Sequence, residues 1–123
     1  MLKQMFKSIG IAFDRIIDLI KSENNAKIHL ISTIVVIIVG FKLQFLAIEW
    51  LWISLAIAGV WVAELINTAI EKLTDLVSPE INPIAKKVKD YAAGAVLVMA
   101  IWAIFVFCLI SFPHLWMWLA FSR

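Results

Sequence analysis

The stretch from Tyr91 to Phe112, YAAGAVLVMAIWAIFVFCLISF, has 22 residues and carries no formal charge. A helix of that length rises about 33 Å, enough to cross the hydrocarbon core of a bilayer, which is about 30 Å thick. The whole chain has the same character, since 63% of its 123 residues are hydrophobic and its mean hydropathy is +0.97. These values lie outside the range of soluble globular proteins. We therefore predict an all-α integral membrane protein that forms a single domain over residues 1–123.

Two more membrane spans are expected before this stretch. The first covers about residues 28–48 and contains His29 near one end and Lys42 near the other, where a lysine side chain can reach the headgroups. The second covers about residues 50–70, and Glu64 lies in its final turns. Three helices alone can bury little ligand-binding surface, so we also expect the chain to form an oligomer.

The segment that precedes the spans has a different pattern. Between Phe6 and Ile20, apolar side chains recur every three or four residues, and charged side chains occupy the opposite side. This periodicity predicts an amphipathic surface helix over about residues 6–22. Such a helix would lie in the membrane interface or pack on the protein's own surface.

The 11 Lys and Arg residues are distributed unevenly around the three spans. Nine of them precede the first span or lie between the second and third spans, and only Lys42 and Arg123 fall on the other side. Lys and Arg concentrate in the cytoplasmic loops of membrane proteins. The distribution therefore predicts a cytoplasmic N-terminus, an external C-terminus, and a polar end of the second span that faces the cytoplasm.

Four polar residues share one helix face at the end of the second span: Glu64, Asn67, Glu71 and Asp75. A charged side chain at the bilayer centre costs about 2.5–3.5 kcal/mol, so such a stripe indicates a bound cation or a reaction. Carboxylate and amide oxygens are ligands that suit Mg²⁺ or Ca²⁺. Glu23, just before the first span, could complete the coordination from a second helix.

The same residues could support phosphoryl transfer, which needs a metal ion on the phosphates, a cation against the developing charge and a base near the attacking hydroxyl. Glu23 and Glu71 could hold the metal ion, and Lys89 could reach a phosphate. Glu64 is deep enough to act as a base towards a lipid headgroup. Two alternatives remain open: Glu23 could be a solvated charge, and the acids could line a cation path in a non-enzymatic membrane channel or assembly subunit.

Two motifs resemble the prokaryotic diacylglycerol kinase family: ELINTAIEKLTD at residues 64–75 and AKKVKDYAAGAV at residues 85–96. The resemblance extends over nearly the whole chain. It implies a homotrimeric lipid kinase of the bacterial cytoplasmic (inner) membrane, with active sites shared between neighbouring subunits at the cytoplasmic face. It also implies ATP and a membrane lipid as substrates and Mg²⁺ as cofactor, and a nucleic acid is not an expected partner.

The resemblance assigns roles to individual residues. It implies that Glu64 is the catalytic base and that Glu23 and Glu71 are the metal ligands. The implied nucleotide-binding residues are Glu23, Asn67, Glu71, Asp75, Lys89 and Asp90. The implied lipid-binding residues are His29, Glu64 and Asn67.

The acceptor lipid is indicated by the stretch from Glu23 to His29, ENNAKIH. This stretch resembles the Glu-x-Asn-x-basic-x-His pattern of the undecaprenol kinase branch, whereas the diacylglycerol branch typically has an acid where His29 stands. We therefore expect undecaprenol as the acceptor and undecaprenyl phosphate as the product. Diacylglycerol, which would give phosphatidic acid, is the alternative.

Overall fold

The structure is a computed structural model that describes residues 1–121, so that Arg123, one of the two cations counted on the external side, lies outside the described residues. Four α-helices follow one another along the chain: α1 (Leu2–Ser22), α2 (Asn24–Lys42), α3 (Ala47–Val77) and α4 (Pro83–Phe121). Helices α2, α3 and α4 are each long enough and apolar enough to cross a membrane. The predicted all-helical fold with three long apolar helices is confirmed.

Helix α1 passes into α2 through one non-helical residue, Glu23. Its backbone is extended, with φ −104° and ψ 125°, while its N–H still donates to the carbonyl of Leu19 at 2.9 Å. Glu23 thus ends one helix and precedes the first residue of the next, which places its carboxylate at the corner between them. Leu19 is the buried side chain of α1.

The turn between α2 and α3 lies inside the first predicted span. Helix α2 ends at Lys42, whereas the sequence predicted a span boundary at about residue 48. Gln44 adopts a left-handed backbone with φ 58°, and the N–H of Phe45 donates to the carbonyl of Gly40 at 3.0 Å. Apart from Lys42 and Gln44 the residues from Gly40 to Ile48 are apolar, so hydropathy alone did not distinguish the turn from the flanking helices.

Helices α3 and α4 both extend past the predicted spans. Helix α3 has 31 residues and α4 has 39, which correspond to about 46 Å and 58 Å at 1.5 Å per residue. The third span was predicted to end at about Phe112, but the helix continues through Pro113 to Phe121. A proline removes only one helical hydrogen bond, and helices in membrane proteins tolerate that loss.

The core lies mainly between α3 and α4, which pack against each other more extensively than any other pair of helices. A side chain at Gly59 of α3 would overlap Met99 of α4, so this glycine allows a close approach. Helix α2 packs less closely, and a groove of about 430 Å³ separates part of it from α3 and α4. The position of α2 is therefore fixed by few contacts, and this matters for the site described below.

Candidate active site

Glu64 is the most deeply buried charged side chain among residues 1–121, with 1% of the residue exposed. It lies on α3 and faces His29 of α2, with 3.7 Å between Glu64 Oε2 and His29 Nε2. That separation is too long for a hydrogen bond. Both atoms are buried and have no hydrogen-bond partner in the structure. Two ionisable groups therefore meet with free hydrogen-bonding capacity, which a hydroxyl group bound beside them could use.

The four polar side chains of the stripe on α3 become more exposed to solvent along the helix. Glu64 and Asn67 are buried, Glu71 is partly buried, and Asp75 is exposed, with 64% of its side chain accessible. The side-chain nitrogen Nδ2 of Asn67 donates to Oε1 of Glu71 at 3.3 Å. The stripe thus runs from a dehydrated carboxylate to a solvated one over 11 residues.

Two other carboxylates act electrostatically on Glu64. They belong to Glu71, on the same helix, and to Glu23, at the corner between α1 and α2. Residues 1–121 contain no group of three or more His, Cys, Asp or Glu side chains arranged to hold a metal ion. Mg²⁺ nevertheless needs only one or two protein carboxylates when phosphates and water supply its other ligands. The buried Oδ1 of Asn67, which has no partner, adds a further hard oxygen beside Glu71.

Helix α4 contributes the basic residues at the exposed end of the stripe. Lys89 Nζ donates to Oδ1 of Asp75, a contact that joins α4 to α3. Asp90 instead accepts from Lys86 at 2.8 Å, within α4 and exposed to solvent. The structure therefore brings Lys89 to the stripe, whereas Asp90 is paired with its own helix.

Thr68, to which the sequence analysis gave no role, lies next to the stripe. Thr68 is 8% exposed, and its hydroxyl has no partner among the described residues. Thr68 also lines a cavity of about 210 Å³ between α1 and α3, together with Arg15 and Lys72. The position of Thr68, four residues after Glu64, could have indicated that both share one helix face.

A partly buried polar contact lies at the opposite end of α3, between Glu49 and His114 of α4. Neither belongs to a recognisable motif, and they are 65 positions apart, so their proximity could only be found from the fold.

Comparison with known proteins shows which family this chain resembles. A family model described as "Prokaryotic diacylglycerol kinase" matches residues 10–111. An undecaprenol kinase of Bacillus subtilis is 40% identical over 114 residues, which is 93% of each chain. A diacylglycerol kinase of Synechocystis is 38% identical over 69% of this chain and 49% of its own length. A diacylglycerol kinase of Escherichia coli K12 is 24% identical over 68% of this chain and 69% of its own.

The family match covers both sequence motifs, all of α3 and the corner residue Glu23. The relatives are all named as lipid kinases, which supports the enzymatic interpretation over a channel or assembly subunit. The chain therefore belongs to the prokaryotic diacylglycerol kinase family and is a membrane protein and ATP-dependent lipid kinase.

Proposed function

We propose that this protein transfers the γ-phosphate of ATP to the hydroxyl of a membrane lipid, with Glu64 as the catalytic base. The observation that carries the proposal is the burial of Glu64, whose Oε2 has no hydrogen-bond partner although it lies in a helix long enough to span the membrane. A carboxylate at that depth would meet the headgroup of a lipid that enters between the helices from the bilayer. It is much less accessible to a soluble acceptor.

In this reaction Glu64 takes the proton of the lipid hydroxyl as its oxygen attacks the γ-phosphorus. A new phosphorus–oxygen bond forms to the lipid, the bond to the bridging oxygen of ATP breaks, and ADP leaves. A general base of this kind contributes about 10²–10⁴-fold to a rate. His29, 3.7 Å from Glu64, lies where it can orient the acceptor.

Glu23 and Glu71 are the proposed ligands of Mg²⁺, which when bound would supply positive charge against the phosphates of ATP. The hydrogen bond from Asn67 keeps Glu71 Oε1 directed along the stripe. Lys89 is proposed to contact the phosphates. When ATP binds, Lys89 would release Asp75 and bind the phosphates instead. Asp90 is proposed to contact the nucleotide as well.

Undecaprenol is the proposed acceptor, with undecaprenyl phosphate as the product. The histidine beside Glu64 supports this choice, as does the 40% identity to an undecaprenol kinase over 93% of the chain. Diacylglycerol is the second candidate, because the other relatives reported above are diacylglycerol kinases.

We also propose a homotrimer in the bacterial inner membrane, with the stripe at the cytoplasmic face, a cytoplasmic N-terminus and an external C-terminus. The small ligand-binding surface that three membrane helices can bury supports an assembly. The exposed apolar side chains of α1, such as Phe6 and Phe13, support a helix that lies in the membrane interface. Native mass spectrometry in detergent tests the oligomer, and an active monomer would contradict it.

The function is tested by incubating the purified protein with labelled ATP and vesicles that contain undecaprenol and diacylglycerol at equal concentration. We expect labelled undecaprenyl phosphate as the main product. Mainly phosphatidic acid would favour the second acceptor. No labelled lipid from either acceptor would overturn the proposed function.

A further inference from the structure

Trp61, Thr33 and His29 form a short chain of hydrogen bonds between α3 and α2. The indole Nε1 of Trp61 donates to Thr33 Oγ1 at 3.1 Å, and this hydroxyl donates to the carbonyl oxygen of His29 at 2.7 Å. The direction of the chain is unambiguous, because an indole N–H can only donate and a carbonyl can only accept. Between residues 1 and 121, Trp61–Thr33 is the one side-chain hydrogen bond that joins α2 to α3.

These hydrogen bonds lie one helical turn from the contact between His29 and Glu64. Thr33 follows His29 by four residues on α2, and Trp61 precedes Glu64 by three residues on α3. Residues at these spacings lie on the same face of a helix. The antiparallel helices α2 and α3 therefore approach each other at two adjacent levels. At one level Trp61 donates a hydrogen bond to Thr33, and at the other His29 lies 3.7 Å from Glu64.

Apolar packing does not fix α2 at this level. The groove of about 430 Å³ between α2 and the other two spans is lined by His29 and Thr33 on one side and by Val60 and Ala103 on the other. Within a bilayer there is no hydrophobic force to press helices together, because lipid chains are as apolar as the helix surfaces. The hydrogen bond between Trp61 and Thr33 can therefore help to fix α2 relative to α3.

We propose that Thr33 and Trp61 are positioning residues that hold His29 against Glu64. The proposal rests on the proposed function, in which Glu64 is the base and His29 orients the acceptor. Thr33 acts twice, because it binds α3 through Trp61 and binds the backbone of His29 through its own proton. A displacement of about 1 Å in a reacting group can cost about 100-fold in rate, so the loss of this contact will lower kcat for lipid phosphorylation.

The first test measures steady-state kinetics of Thr33→Val, Trp61→Phe and the double variant. We expect each single variant to lower kcat at least tenfold with the KM for ATP unchanged, and the double variant to lose no more than either single one. Thr33→Ser keeps the hydroxyl and should restore kcat to nearly the original value. Thr74→Val is the matched control, because Thr74 makes the same 2.7 Å bond to the carbonyl four residues earlier and makes no described contact with another helix.

The second test reports the position of His29 without using the reaction. The chain has two histidines, so an imidazole NMR spectrum contains signals from His29 and from the distant His114, which serves as an internal reference. We expect Thr33→Val and Trp61→Phe to shift the His29 signals and to leave those of His114 in place. Trp52→Phe, which removes an exposed indole from the same helix, should shift neither set.

Three outcomes would overturn the proposal: an unchanged kcat in Thr33→Val, additive losses in the double variant, or unshifted His29 signals. If Thr33→Val does not fold, Trp61→Phe with the NMR measurement decides alone. The proposed function is contradicted separately, if the protein without substitutions phosphorylates no lipid. In that case the NMR result still determines whether Thr33 and Trp61 position His29.

Discussion

Glu49 and His114 are 65 residues apart in the sequence, yet Nε2 of His114 lies 2.8 Å from Oε2 and 3.0 Å from Oε1 of the Glu49 carboxylate. The same carboxylate accepts a hydrogen bond from the N–H of Leu46 at 2.7 Å, at the start of α3. The His114 ring also packs against Phe45, with 5.4 Å between the ring centroids. One carboxylate thus connects the α2–α3 turn to α4 just beyond Pro113, at the end of α3 that is remote from Glu64.

We predict that this contact stabilises the fold without taking part in catalysis. Glu49→Gln and His114→Ala should each lower the free energy of unfolding by about 1 kcal/mol, since polar contacts between membrane helices contribute about 0.6 kcal/mol on average and up to about 1.7. Thermal unfolding in detergent measures the loss, and kcat per folded protein should not change. Glu80→Gln is the control, because Glu80 is exposed and makes no described ion pair. Equal unfolding temperatures for all three variants would show that the contact adds no stability.

Glu64→Gln should abolish lipid phosphorylation, with kcat reduced by about 10²–10⁴-fold, because an amide cannot accept the proton of the hydroxyl. ATP binding, measured by calorimetry, should remain within a factor of two or three, since the lost group is the most buried one of the stripe. The protein should also fold, because glutamine has the same shape and an uncharged side chain costs less to bury. A variant with full kcat would remove Glu64 from the mechanism.

Glu71→Gln should instead weaken the binding of ATP with Mg²⁺. Loss of one of two carboxylate ligands removes a charge from the proposed metal site, and we expect a decrease in affinity of at least tenfold. The Asn67 amide can still donate to the side-chain oxygen of glutamine, so the local structure should persist. Calorimetric titration with ATP, in the presence of Mg²⁺ and then of EDTA, measures the effect. An unchanged affinity in Mg²⁺ would contradict the metal role of Glu71.

Lys89→Met should raise the KM for ATP about tenfold while the stability of the fold hardly changes. Its partner Asp75 is exposed, and exposed ion pairs contribute about 0–1 kcal/mol to stability. Lys87→Met is the matched control, since Lys87 is an exposed lysine on the same helix with no described contact. Kinetics at varied ATP concentration measure the change. If both variants have the same KM, Lys89 has no specific role at the phosphates.

The helices and the stripe could be predicted from the sequence because they depend on local periodicity. The uncharged stretch before Phe112 determines a helix by itself, and the spacing from Glu64 to Asp75 determines one helix face. The turn at Gln44 was not predicted, because hydropathy does not distinguish a turn from a helix among apolar residues. The contacts of Glu49 and Trp61 were not predicted either. Each joins residues on different helices, and their proximity follows from helix packing, which local patterns do not encode.

The final prediction concerns the choice of lipid. His29→Glu places a second carboxylate beside Glu64, where His29 Nε2 lies 3.7 Å from Oε2 in the original protein. The family resemblance implies an acid at this position in the diacylglycerol branch, so we expect the ratio of kcat/KM for diacylglycerol to that for undecaprenol to rise at least tenfold. This corresponds to about 1.4 kcal/mol of discrimination. Competition between the two lipids in one assay measures the ratio directly.

His29→Gln separates selection of the lipid from a general loss of activity. Glutamine can form hydrogen bonds but carries no charge, so it should lower turnover of both lipids without changing their ratio. A protonated carboxyl group at this position can donate a hydrogen bond to an ester carbonyl of diacylglycerol, which undecaprenol lacks, whereas an ionised one repels Glu64; only the first effect would favour one lipid. If His29→Glu lowers both activities in equal proportion, repulsion alone explains the result, and the residue that selects the lipid must be sought elsewhere along the groove between α2 and α3.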